Sequence, residues 1–164
     1  MNMKTGLAAL VTALLLLPGI AQADELPMKA EAPITLTSPS AILCEASTGQ
    51  VIFEKNADER RPVASVNKVM TILLTLEAVD EGRVSLEDQV TVSPRAASMG
   101  GSQAFLDAGE RYKLSELLKT VIVASANDSA VALAEHLAGT EENFVRLMNT
   151  RAEELGLTNT HYAN

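Results

Sequence analysis

The chain has 164 residues, a formal net charge of −8 and a pI near 4.7, with three Phe, two Tyr and no Trp. That length suits one domain at most, and an acidic chain with few aromatics and no basic run argues against a nucleic-acid partner. Cys44 is the only cysteine, so no internal disulfide is available. Two isolated histidines, His136 and His161, give no ligand-spaced cluster, and no metal or cofactor is expected.

In chain order, Lys4 supplies a positive start, Gly6 to Leu17 is apolar, Pro18-Gly19 breaks the run, and Ala21-Gln22-Ala23 fits a small-residue cleavage site. Residues 1–23 therefore read as a secretory signal peptide, with an apolar stretch too short for a comfortable membrane span. Cleavage after Ala23 leaves about 141 residues starting at Asp24 and, with Lys4 gone, a net charge of −9. The expected location is outside the cytoplasm, in the periplasm or on the outer face of the cytoplasmic membrane. No second apolar span follows, so a membrane tether is not expected within this chain. Residues 24–40, with Pro27, Pro33 and Pro39, read as a flexible leader.

Residues 41–164 carry the fold. Ala41–Glu45 and Val51–Lys55 are β-type runs joined by Ala46-Ser47-Thr48-Gly49-Gln50, which predicts a hairpin. Cys44 sits in the apolar run of the first and is expected to be a buried, inert thiol. Pro62 stands just before a helix predicted over Ala64–Val79, where proline is tolerated. Val66, Val69, Met70, Ile72, Leu73, Leu74, Leu76 and Val79 leave that helix almost no polar face, which predicts a buried central helix. Gly82 is placed to end it as a left-handed cap residue.

A short extended piece is expected at Val90-Thr91-Val92, and a turn or loop at Gly100-Gly101-Ser102. Leu114, Leu117, Leu118, Val121 and Ile122 have helical spacing up to Ala124. Ser125-Ala126-Asn127-Asp128 interrupts it, and a further helix runs from Ser129 to Leu137. Thr140 caps another helix, with Glu141 and Glu142 in its first turn and Gly156 at its end. Phe144, Leu147, Met148 and Leu155 fall on one face of that helix.

Ser65 and Lys68 carry the chemistry. Positions i and i+3 of a helix lie roughly 5–6 Å apart at Cβ, so the lysine amine can reach the serine hydroxyl and act on its proton. Ser65 at a helix N-terminus and a partly desolvated Lys68 favour the alkoxide and a neutral amine, respectively. The bland alternative is a surface lysine beside a helix-start serine. Ser125 and Asn127 form a second element at a helix–helix junction, whose bland reading is an N-cap for the following helix. The hydroxyl can relay a proton, and the amide can bind a substrate carbonyl or hold the lysine. Ser-x-x-Lys followed by a Ser-x-Asn element matches two of the three motifs of penicillin-interactive serine enzymes.

Beyond those motifs, the chain resembles the N-terminal half of the D-alanyl-D-alanine carboxypeptidases, the low-molecular-mass penicillin-binding proteins of peptidase family S11. The resemblance rests on Ala46 to Asn56, Pro62 to Thr71, Gly100-Gly101-Ser102, Ser125 to Asp128, Met148-Asn149 and Leu155 to His161, in family order and spacing. It implies an α/β (α+β) fold of the β-lactamase/penicillin-binding transpeptidase type, truncated to a hairpin and a helical region.

The resemblance also implies roles. Ser65 is the nucleophile that attacks the penultimate D-Ala carbonyl of a peptidoglycan stem peptide, and Lys68 is its general base. Ser125 passes a proton to the departing D-Ala, and Asn127 positions substrate. The Ser65 backbone N–H forms half of the oxyanion hole, and β-lactams are the implied covalent inhibitors. Asn67 stands where the family more often has a small or hydroxylated residue, and no role is assigned to it. The family's Lys-Thr-Gly strand does not occur after Asn127 in these residues, so the chain is read as a fragment. A serine β-lactamase, which needs a deacylating carboxylate, and a non-catalytic remnant are the alternatives.

Overall fold

The computed structural model describes residues 35–163. The expected signal peptide and most of the expected leader lie outside them. The chain divides into two compact units, one ending at Ala57 and the other starting at Asp58.

In the first unit, β1 (Ala41–Cys44) pairs antiparallel with β2 (Val51–Lys55), Ala41 opposite Lys55 and Leu43 opposite Phe53, with an irregularity between Leu43 and Cys44. The connection is held by one carboxylate. Glu45 accepts from the Ser47 and Thr48 hydroxyls at 2.8 and 2.7 Å, and from their backbone N–H groups at 3.0 and 2.7 Å. These bonds, the Thr48 hydroxyl first, hold its pKa down at about 2. Gly49, at φ 72°, takes the left-handed position that closes the turn. Lys55 Nζ donates to the carbonyls of Leu36 and Ser38, both at 2.8 Å, which fastens residues 36–38 to the hairpin.

Cys44 is exposed, contrary to the buried thiol expected from its apolar neighbours. A two-stranded ribbon has no second layer to cover its faces. Ile42, Leu43, Val51 and Ile52 are exposed for the same reason.

The second unit is helical. Its main elements are α1 (Lys68–Asp80), α2 (Pro94–Ala97), α3 (Leu114–Ala124), α4 (Asn127–Ala138) and α5 (Glu141–Glu154). A small antiparallel ribbon joins β3 (Gln89–Thr91) to β4 (Arg111–Lys113), Val90 opposite Tyr112. The mixed α/β class is thus as expected, with few strands among the described residues.

The helix ends follow the sequence closely. Gly82 N–H bonds the Val79 carbonyl and Arg83 N–H the Ala78 carbonyl, a Schellman closure of α1 around left-handed Gly82. Gly156 and Leu157 close α5 in the same way on Glu153 and Ala152. Thr140 Oγ1 accepts from Asn143 N–H at 3.1 Å and starts α5. At the start of α3, the Glu116 carboxylate accepts the Lys113 backbone N–H at 3.1 Å.

The centre of this unit differs from expectation. α1 buries only Met70, Thr71, Thr75 and Ala78, while Val69 and Leu76 are exposed, as is Val66 just before it. Its inward stripe therefore includes two threonines, and Thr75 satisfies its hydroxyl on the Thr71 carbonyl at 2.8 Å. The central helix is α4, which packs against α1, α2, α3, α5 and β3. It buries Asp128, Ser129 and every residue from Val131 to Ala134. Alanine and serine let neighbouring helices approach from several sides at once, which long aliphatic side chains do not.

Two apolar clusters meet along α4. One joins Val90, Leu106, Leu114, Leu117 and Val121 to Val131 and Leu133. The other joins Met70, Phe144, Met148 and Ala152 to Ala134. Leu147 and Leu155, expected on the inner face of α5, are exposed.

Candidate active site

Ser65 lies in a 3₁₀ turn, Ala64–Asn67, that runs straight into α1. In a 3₁₀ turn, residues three apart eclipse one another more closely than in an α-helix. The Ser65 and Lys68 side chains are accordingly stacked, with Lys68 Nζ 3.3 Å from Ser65 Oγ. Ser65 is exposed and Lys68 half-buried, so the hydroxyl is reachable while the amine is partly desolvated. Burial lowers the Lys68 pKa below its ordinary value of 10.5. The shift is in the direction that favours an unprotonated amine facing the hydroxyl.

Ser125 is the C-cap of α3, held in the left-handed region at φ 55° and ψ 37° with its N–H on the Thr120 carbonyl. Its N-cap alternative does not hold: α4 is capped by Ala126, without a side-chain bond. Asn127 opens α4 and is tied twice to the loop before β4. Its N–H donates to the Ser102 carbonyl at 2.7 Å and its Nδ2 to the Gly100 carbonyl at 2.6 Å. The asparagine amide therefore holds this loop rather than the lysine. Gly101 is required here, since a Cβ at this φ +80° residue would sit 2.9 Å from Asn127 Nδ2.

Ser65 and Lys68 are thus brought into direct contact, and Asn127 is joined to the Gly100–Ser102 loop. α1 packs on both α3 and α4, the helices that carry the second element. Among the described residues, no hydrogen bond ties Ser125 or Asn127 to Ser65 or Lys68. Strained backbone gathers at these segments: Ala64, Phe105 and Ser125 all have positive φ, at 46°, 60° and 55°. Sequence reasoning missed Ala64 and Phe105, for which residue type gives no signal.

The fold is that of the penicillin-binding DD-peptidases. The structure superposes on the D-alanyl-D-alanine carboxypeptidase DacD of Francisella tularensis with a TM-score of 0.79 and 36% identity, over 87% of this chain and 34% of that one. It superposes on penicillin binding protein 5 of Haemophilus influenzae at 0.78 and 33% identity, over 82% of this chain and 40% of that one. The chain belongs to the D-alanyl-D-alanine carboxypeptidase family, peptidase S11, whose family model matches residues 27–164.

Among curated relatives it is 50% identical to D-alanyl-D-alanine carboxypeptidase DacF of Bacillus subtilis over 125 residues, 76% of this chain and 32% of that protein. It is 36% identical to DacA of Escherichia coli over 150 residues, 87% of this chain and 37% of that protein. The chain thus spans about a third of the length of these relatives.

Proposed function

We propose that this chain carries the nucleophilic half of a serine-type D-Ala-D-Ala carboxypeptidase acting on peptidoglycan stem pentapeptides. The observation that carries the reading is the Lys68 Nζ–Ser65 Oγ contact at 3.3 Å, with the amine partly desolvated and the hydroxyl exposed. Neutral Lys68 takes the Ser65 proton as Oγ attacks the penultimate D-Ala carbonyl carbon. The tetrahedral oxyanion faces the Ser65 backbone N–H. As the C–N bond breaks, the proton returns through the Ser125 hydroxyl to the nitrogen of the departing D-Ala. The remaining peptide is left as an ester on Ser65. Water, activated in turn by Lys68, hydrolyses the ester and restores the hydroxyl. Asn127 is assigned to position substrate in this reading, and its amide is held by the Gly100 carbonyl at 2.6 Å.

A β-lactam enters the same chemistry by ring opening. Its amine stays attached to the acyl group, so the ester on Ser65 persists. The substrate lies outside the cytoplasmic membrane, which agrees with the signal-type sequence at residues 1–23. Among the described residues, no helix is long and apolar enough to cross a membrane.

Release of free D-Ala from a peptide ending in D-Ala-D-Ala tests the reading. The rate is expected to rise with pH as the Lys68 ammonium loses its proton. Because burial lowers that pKa, the rise falls below the ordinary lysine value of 10.5. Ser65→Ala is expected to release none. Equal release by the wild type and Ser65→Ala, or a rate independent of pH, would sink the proposal.

A further inference from the structure

The Asp128 carboxylate lies inside the second unit, 1% exposed, and among the described residues no ion pair involves it. Backbone N–H groups satisfy it instead. Ala104 N–H reaches both oxygens at 3.0 Å, Leu106 N–H reaches Oδ2 at 3.2 Å, and Ser129 N–H reaches Oδ1 at 2.8 Å. A carboxylate suits this place because it only accepts, and every group around it donates. The two loop amides it holds flank Phe105. That residue is 82% exposed and stands at φ 60°, a conformation a bulky L-residue adopts only when its surroundings impose it. Burial of the ring does not impose it, because the ring is in solvent. The bonds to Asp128 on either side do. The same loop supplies the Gly100 and Ser102 carbonyls that fix the side chain and backbone of Asn127, the neighbour of Asp128 on α4.

We infer that Asp128 is a positioning residue: by clamping Ala104 and Leu106 around strained Phe105, it holds the 100–106 loop in the shape that aligns the Asn127 amide. Loop and helix start then form one closed unit. Asp128 pulls on the loop's far end while Asn127 is bonded to its near end. Asparagine at position 128 cannot replace the carboxylate, because its NH₂ would face an amide donor whichever way it is turned. Without the clamp, Phe105 relaxes out of the left-handed region and the Gly100 and Ser102 carbonyls move with it. For its effect on acylation, the inference rests on the function proposed above. The alignment of Asn127 stands without it.

The test uses the full chain and its Asp128→Asn variant, with isotope labelling for nuclear magnetic resonance. In the variant, the Asn127 side-chain NH₂ pair is expected to lose its hydrogen-bonded shift and exchange faster with solvent, while the core amide of Leu133 keeps its protection. β-Lactam acylation is expected to slow about 100-fold, the cost of a misplaced group near reacting atoms. Adding Phe105→Gly removes the penalty for the left-handed backbone, and is expected to recover at least about tenfold of that loss. A purely structural aspartate would give no such rescue.

Unchanged Asn127 signals in Asp128→Asn would overturn the inference, and so would a double variant no faster than the single one. If Asp128→Asn does not fold, scalar couplings across the wild-type hydrogen bonds decide. Couplings from the Ala104 and Leu106 nitrogens to the Asp128 carboxylate carbon support the clamp, and their absence refutes it. If the wild type itself is not acylated, the proposed function fails, while the Asn127 signals still decide for or against the clamp.

Discussion

Replacing Lys68 with alanine is expected to slow β-lactam acylation of Ser65 on the order of 10²–10⁴-fold, the range a positioned general base supplies. Among the described residues, Lys68 is the side chain bonded to this hydroxyl, at 3.3 Å. Arginine at the same position is expected not to restore the rate. Its guanidinium keeps the positive charge but does not deprotonate at accessible pH, so it cannot accept the Ser65 proton. The pair of variants separates a base from a mere electrostatic neighbour: a role limited to positive charge would leave Lys68→Arg active. Stopped-flow or quenched labelling with a fluorescent penicillin measures both, and urea midpoints check that neither change unfolds the half-buried site.

Leu133→Ala is expected to destabilise the helical unit by about 3–4 kcal/mol. Leu133 is fully buried on α4, in the larger apolar cluster with Leu114, Leu117 and Val121. Against a total of roughly 5–15 kcal/mol for a typical domain, that loss brings the unit close to unfolding. Val69→Ala, on the helix expected from the sequence to be central, is expected to change stability by less than about 0.5 kcal/mol, because Val69 is 63% exposed. Urea denaturation of the two variants compares α4 and α1 as the centre of the unit. A larger loss from Val69→Ala than from Leu133→Ala would reverse the assignment.

The contrast between these helices shows where the sequence can be read and where it cannot. Boundaries are legible because their chemistry is local. Gly82 and Gly156 end helices by taking left-handed φ, Thr140 starts one by accepting an N–H, and Ser47, Thr48 and Gly49 shape the hairpin turn. Burial is less legible, because it depends on what packs opposite. α1 has the more aliphatic sequence, yet α4 occupies the centre by virtue of its small residues. β4, Arg-Tyr-Lys, has two charged residues in three and is a strand only because β3 pairs with it.

Within the candidate site, the Ser65–Lys68 contact follows from spacing alone, sharpened by the 3₁₀ turn. The bond from Asn127 to Gly100 spans 27 residues and depends on how the loop folds back, which spacing does not reveal. The three hydrogen bonds from the Ala104 and Leu106 N–H groups to Asp128 likewise depend on a loop shape with no periodicity to read.

The proposed function requires Ser65 to be a nucleophile activated by Lys68. Intact-protein mass spectrometry after incubation with benzylpenicillin, followed by peptide mapping, tests it most directly. One penicilloyl adduct per chain is expected, located on Ser65 and absent from Ser65→Ala. A folded chain that gains no adduct, or an adduct that persists in Ser65→Ala, would contradict it.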